Sequence, residues 1–274
     1  SRPLVGLSFY LNCIIGGLRI ADYHAANIII HVSCALLLFG ILRTTFRLPG
    51  FLDKDESVSS LFAGMISLIW AVHPLQTESV TYIVQRSESL MGLFYLVAIY
   101  CFIRGASPDR EMSHWFTWAV VSCALGMACK PVMVTAPLIM LLYDRTFLAG
   151  SFIEAFRRRK WEYAGLAATW IIPFCLLSVP NESSSSAGFG GLTVDPLRYL
   201  MTQPGVIIHY AKLVFWPFNL CLDYDWPPAG FSLSMVLETC VMIFPLLIFV
   251  RLFLQRNVIG FAGLSFFILL FPSS

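Results

Sequence analysis

Charge is what this sequence lacks. Only 12% of its 274 residues are charged, against 58% that are hydrophobic. Soluble domains carry about twice that charged share. A water-soluble fold of this size could not cover its surface with so few charges, so lipid is the solvent for most of the chain. An excess of either sign is also missing, because the net charge is only +2. With no basic stripe and no RNA-binding motif, nucleic acid is excluded as a partner. The eight cysteines include no C-x-x-C pair, which leaves no zinc-ribbon or redox motif. Cys34, Cys101, Cys123, Cys129, Cys175 and Cys240 fall inside apolar runs and are read as small core hydrophobes. The first residue is Ser1, no signal-peptide pattern follows, and Ser274 closely follows an apolar run. Both ends look cut, so the chain is read as an internal piece of a longer protein. No repeat of 20–50 residues is visible.

Long apolar runs are what it has. They lie at 24–42, 58–72, 87–103, 114–129, 131–143, 161–179, 205–220, 231–250 and 257–271. About 20 apolar residues are needed to span a bilayer core, and several of these runs fall short. Short or broken spans mark helix ends recessed in a protein cavity. The fold class is therefore all-α, a polytopic transmembrane helical bundle forming one membrane domain over 1–274. Placing Arg43, Arg47, Lys54, Arg104, Arg110, Arg145, Arg157, Arg158, Arg159, Lys160, Arg251 and Arg256 on the cytoplasmic side accounts for 12 of the 18 lysines and arginines. That rule favours a hairpin turning near Lys130 over one long kinked helix at 114–143. It also favours an external loop with a membrane-associated segment at 180–230. The expected result is eight crossings, with 73–88, the turn at Lys130 and 180–230 facing one another outside.

Polar residues at membrane depth are rare and mark function by default. His73-Pro74-Leu75-Gln76-Thr77-Glu78-Ser79 places an imidazole, an amide, hydroxyls and a carboxylate in one loop, followed by Arg86 and Glu88. These groups could orient or deprotonate a substrate and hold an anion, or simply cap a helix end. Lys130 stands between two apolar runs, where a recessed functional ion is favoured over a lysine that snorkels to the surface. Asp223 and Asp225 form an Asp-x-Asp pair of the kind that binds a divalent metal beside a diphosphate. Trp226, Pro227 and Pro228 suit an interfacial anchor equally, and that structural role is preferred. Glu238, inside an apolar run, should face protein. His24 and His31 read as packing histidines; no metal-ligand constellation is present, and a divalent-metal requirement stays open. Asn181-Glu182-Ser183 matches an N-glycosylation sequon.

The stretch His73-Pro74-Leu75-Gln76-Thr77-Glu78-Ser79-Val80 with Arg86-Ser87-Glu88 resembles the H-P-x-[HQ]-T-E-[AS]-V…R-x-[DE] signature of the transmembrane and tetratricopeptide-repeat-containing O-mannosyltransferases and their bacterial relatives. Arg2-Pro3-Leu4 through Asn12, Tyr23-His24 and Asn27–His31 resemble the segment after that family's first external loop. Lys130 matches its S-K-E position in the lysine alone, and Gln203–Trp226 and Phe271-Pro272-Ser273 resemble later segments. The resemblance implies a GT-C glycosyltransferase-like fold. It also implies transfer of a sugar, mannose or a similar hexose, from a polyprenyl-phosphate carrier to a hydroxyl acceptor, a protein Ser/Thr, on the external face. Arg86 and Lys130 would bind the donor phosphate. Glu78 and His73 would serve the transfer, with Gln76, Glu88, Asp223 and Asp225 in support. The family's acidic pair would precede Ser1 and its repeats would follow Ser274, so this piece alone is expected to be inactive. A bacterial inner membrane is the favoured location, or the endoplasmic reticulum membrane if the chain is eukaryotic. Two other classes compete: a transporter or lipid flippase, disfavoured by the lack of an inverted repeat, and a non-catalytic membrane anchor for tetratricopeptide repeats.

Overall fold

A computed structural model describes residues 2–48, 55–106, 113–177, 196–218, 220, 221, 224, 226 and 230–271. Asp223, Asp225 and the sequon at Asn181 lie outside the described residues. Every regular element among those described is helical, and the protein is a multi-pass helical membrane protein. The chain forms two compact units, 1–176 and 177–274.

The first unit contains α1 (Pro3–Gly16), α2 (Ile20–Phe46), α3 (Glu56–Val72), the short α4 (Thr77–Thr81), α5 (Arg86–Gly105), α6 (Ser113–Met127), α7 (Ala136–Tyr143), α8 (Phe152–Ala168) and most of α9 (Ile171–Leu177). The second contains α10 (Pro196–Phe215), α11 (Leu233–Leu254) and α12 (Val258–Leu270). Large apolar side chains such as Leu61, Leu68 and Val72 on α3 are exposed in the first unit. In the second, Val241, Phe244 and Leu247 on α11 are exposed in the same way. In water such surfaces would aggregate, and in a bilayer they are the lipid-facing wall.

Four helical stretches among the described residues are long and apolar enough to cross a membrane: Ile20–Phe46, Ile83–Gly105, Pro131–Leu148 and Leu233–Leu254. A fifth is added if Glu56–Val72 and Pro74–Thr81, bent by 56°, form one broken span. The 15 residues of α6 and 13 of α12 reach only about 20–22 Å at 1.5 Å per residue, short of a hydrocarbon core of about 30 Å. The basic run Arg157–Lys160 lies inside α8, which the Ser151 hydroxyl caps at the Glu154 amide.

The hairpin near Lys130 forms. Helix α6 runs antiparallel to α5 and stops at Met127, and a 3₁₀ segment at Pro131–Thr135 leads into α7. The turn packs closely at Gly126, where a β-carbon would sit 2.6 Å from Met133 Sδ and push that side chain aside. Lys130 thereby returns to the N-terminal end of α5, while Asp144, after α7, is linked through Arg159 to Ala106 at the C-terminal end.

The two ends of this unit give a topology test. Single cysteines at Thr81 and Arg157, in a background lacking the eight native cysteines, should label from opposite sides of the membrane. Only one should react with an impermeant thiol reagent in sealed vesicles. Equal labelling of both would overturn the bundle described here.

In the second unit, α10 carries Pro204 inside it. A β-carbon on the next residue, Gly205, would meet the Glu238 carboxylate of α11 at 2.9 Å. Glu238 therefore faces protein. His209, one turn further along α10, is flanked edge-on by Tyr224 at 4.7 Å and Trp226 at 5.4 Å. At the α11–α12 turn Gly260 is required, because a β-carbon would strike the Phe253 backbone nitrogen at 2.2 Å.

Candidate functional site

The polar loop is built on the N-terminal end of α2. Tyr23, Asn27 and His31 recur every fourth residue, so they share one face, and that face meets 71–86. The His31 ring stacks on Trp70 with centroids 5.1 Å apart, and its Nε2 donates to the Ala71 carbonyl at 2.9 Å. His24 reaches the Val80 carbonyl at 3.5 Å. Both histidines hold backbone at the end of α3 and in α4.

His73 ends α3. Its Nδ1 accepts a 3.3 Å hydrogen bond from the Leu75 amide and caps the 3₁₀ turn Pro74–Gln76, which places the ring proton on Nε2 in the neutral form. Gln76 is half-buried in the same turn. Glu78 follows in the first turn of α4, half-buried. Its carboxylate has neither an ion pair nor a hydrogen bond among the described residues. The other two acids at this end are paired, Asp22 with Arg19 at 3.0 Å and Glu88 with Lys130. Ser89 fastens α4 to α5 by donating to the Ser79 carbonyl at 3.2 Å.

Arg86 opens α5 and is 1% exposed. Its Nε donates to Asn27 Oδ1 and one terminal nitrogen to the Tyr23 carbonyl, both at 2.9 Å. The guanidinium lies 4.5 Å from the centre of the Phe9 ring and 5.4 Å from that of Tyr23. A charge without a carboxylate partner is tolerated here because oriented dipoles and two ring faces replace water. Asn27 is itself fully buried, and its amide nitrogen has no hydrogen-bond partner among the described residues. Beside Arg86, Ser87 accepts from Arg2 at 2.9 Å.

Lys130 makes an ion pair with Glu88, and their side chains are 22% and 35% exposed. The pair bridges the start of α5 to the α6–α7 turn and leaves Lys130 partly accessible where Arg86 is enclosed. The structure thus joins Arg86, Glu88 and Lys130 at one end of the bundle with His73, Gln76 and Glu78 in the adjoining loop. Among the described residues, no three His, Cys, Asp or Glu side chains cluster closely enough to hold a metal ion.

Sequence reasoning did not assign Asn27 as the partner of Arg86. The available signal was the Tyr23/Asn27/His31 spacing, a polar stripe on an otherwise apolar helix. It also missed Asp144, fully buried, which receives both oxygen contacts of Arg159 Nη1 at 2.8 and 2.9 Å and the Tyr163 hydroxyl at 2.6 Å.

No family model matches this chain, and no solved structure matches it. Over 153 residues it is 32% identical to the human protein O-mannosyl-transferase TMTC3, which covers 55% of this chain and 15% of that protein. It is 31% identical over 155 residues to mouse protein O-mannosyl-transferase TMTC4, covering 52% of this chain and 20% of the relative. It is also 31% identical over 147 residues to Xenopus laevis protein O-mannosyl-transferase tmtc2, covering 52% and 16%. The matches therefore take in about half of this chain and no more than a fifth of the length of these relatives.

Proposed function

We propose that this chain is part of the membrane domain of a protein O-mannosyltransferase of the transmembrane and tetratricopeptide-repeat-containing family, with a GT-C-like fold. It would take mannose or a similar hexose from a polyprenyl-phosphate carrier at the external face and deliver it to a protein hydroxyl. Identity of about 30% to proteins named as O-mannosyl-transferases supports the reaction class. The observation that carries the site is the partly exposed Lys130–Glu88 pair beside the unpaired Glu78 loop, at the end of an apolar bundle.

The chemistry follows from that arrangement. A lipid-linked sugar phosphate brings an anion to the membrane boundary and leaves its prenyl tail in lipid. Lys130 would bridge a phosphate oxygen and the Glu88 carboxylate, which keeps the lysine in place while its remaining N–H donors reach the donor phosphate. Arg86 lies too deep to follow, and it adds positive potential while fixing the loop through Asn27 and Tyr23. Glu78 would orient the acceptor or the sugar, with His73 setting the turn that presents it. The bacterial inner membrane remains the preferred location.

Donor binding tests this reading. Lys130→Ala should weaken binding of a polyprenyl-phosphate-linked mannose by tenfold to a hundredfold, since a charged hydrogen bond contributes about 1.5–3 kcal/mol. Asn27→Leu should act indirectly, by freeing Arg86, and should lower thermal stability as well. Normal donor binding by Lys130→Ala would remove the phosphate assignment.

A further inference from the structure

A second cation-lined hollow lies at the other end of α2 and α5. It has a volume of about 390 Å³. Leu36, Leu37 and Phe39 of α2 and Tyr100 of α5 form its apolar wall, and Arg43, Arg47 and Arg104 supply its charge. Gly40 lets the two helices close against each other there: a β-carbon would meet the Tyr100 ring at 2.9 Å.

The charges do not balance within the described residues. Among the described residues Glu56 is paired with two of the three guanidiniums, Arg43 and, at 2.9 Å, Arg47. Arg104 has no carboxylate partner among the described residues. Its guanidinium lies 5.9 Å from the centre of the Tyr100 ring and 5.6 Å from that of Trp115. The Nε atoms of Arg43 and Arg104 are both buried without a hydrogen-bond acceptor. Two donors left without acceptors among the described residues, on guanidiniums that outnumber the carboxylates described beside them, fit an anion with several acceptor oxygens, and guanidinium geometry matches phosphate.

Position narrows the source of that phosphate. Arg104 follows Arg86 by eighteen residues of one helix, about 27 Å along its axis. That is close to the thickness of a hydrocarbon core, about 30 Å. The arginines therefore sit at the membrane boundary opposite Lys130, at headgroup depth, while Leu36, Leu37 and Phe39 lie one to two turns deeper on α2. We propose that this hollow binds the phosphate headgroup of an anionic membrane lipid, with an acyl chain along Leu36 and Leu37. The site is separate from the loop at 73–88 and stands whether or not the chain transfers sugar.

The test uses the whole protein, delipidated in detergent, and native mass spectrometry with three probes: phosphatidylglycerol, phosphatidylcholine and inorganic phosphate. Phosphatidylglycerol should be retained at least tenfold better than phosphatidylcholine. The double variant R43Q/R104Q should lose at least tenfold in that retention, and Arg158→Gln, on the exposed face of α8, should lose none. Arg104→Lys keeps the charge but loses the planar fork, and should retain the lipid less well than the native protein and better than R43Q/R104Q. Leu37→Trp fills the hollow without touching its charge and should also expel the lipid, which covers the case in which the double variant folds poorly. Equal retention of the two lipids, or undiminished retention by R43Q/R104Q and Leu37→Trp, overturns the proposal. Inorganic phosphate that competes as well as phosphatidylglycerol would assign the hollow to a soluble phosphate and overturn the lipid.

Discussion

Glu78→Gln is expected to lower sugar transfer by at least a hundredfold while leaving donor binding within a few-fold. A positioned carboxylate that accepts or directs a proton contributes about 10²–10⁴ in rate, and the amide keeps its shape while losing its basicity. Among the described residues the Glu78 carboxylate makes none of the contacts usual for its position. A carboxylate at a helix start ordinarily accepts from backbone amides or favours the helix dipole. Here α4 has only five residues and no side-chain cap, so the dipole is short and the cap is unused. A half-buried carboxylate with no partner costs stability, and it is retained where another task needs it. Donor binding should change little, because an anion beside a phosphate repels it. The measurement is single-turnover transfer beside donor affinity in membranes containing the protein. Full transfer by Glu78→Gln would make the loop at His73–Ser79 structural.

Arg159→Ala is expected to be the most damaging change to stability, by about 3–5 kcal/mol, because it strands a fully buried carboxylate. Asp144 is 0% exposed and Arg159 only 9%, and α8 departs from helical geometry at Arg159 (φ −133°, ψ 39°) to deliver the guanidinium. Asp144 lies at the start of a π-helical turn, Asp144–Leu148, so both partners sit on distorted helix. The same guanidinium donates to the Ala106 carbonyl at 3.4 Å, so the pair ties the ends of α5 and α7 to α8. Asp144→Ala should cost a similar amount by stranding the arginine. The double change to leucine should recover most of the loss, since hydrophobic replacement of a buried pair is often close to neutral. Denaturant unfolding in detergent reads all three. A loss under 1 kcal/mol for Arg159→Ala would show that water reaches the pair.

Much of the first-order architecture was legible in the residues. Few charges and long apolar runs require a helical membrane protein, because only internally hydrogen-bonded backbone survives in lipid. Lys130 between two apolar runs, with Pro131 after it, marked the hairpin turn, since proline breaks the helix and lysine needs a polar end. The cysteine reading divided: Cys34, Cys101, Cys123 and Cys129 are buried, while Cys175 and Cys240 are exposed. Apolarity alone does not separate core from lipid-facing wall. How far each run reaches was hidden for a related reason. An apolar run shows what can enter lipid, whereas helix breaks such as the one at Thr169–Trp170 decide how far it reaches.

By itself the sequence determined the solvent, the helical class, the paired ends of the bundle and the loop in which its polar groups gather. Those follow from composition and from the one-dimensional spacing of charge and proline. Only the tertiary structure decided which charges are spent. Arg86 and Lys130 read alike along the chain, yet Arg86 is enclosed by Asn27, Tyr23 and Phe9 while Lys130 stays within reach beside Glu88. Arg157, Arg158 and Arg159 are successive arginines, yet the third alone turns inward to Asp144. The reason is physical: a charge's role depends on which dipoles, rings and counter-charges other helices bring within a few ångströms, and sequence spacing within one helix does not encode that.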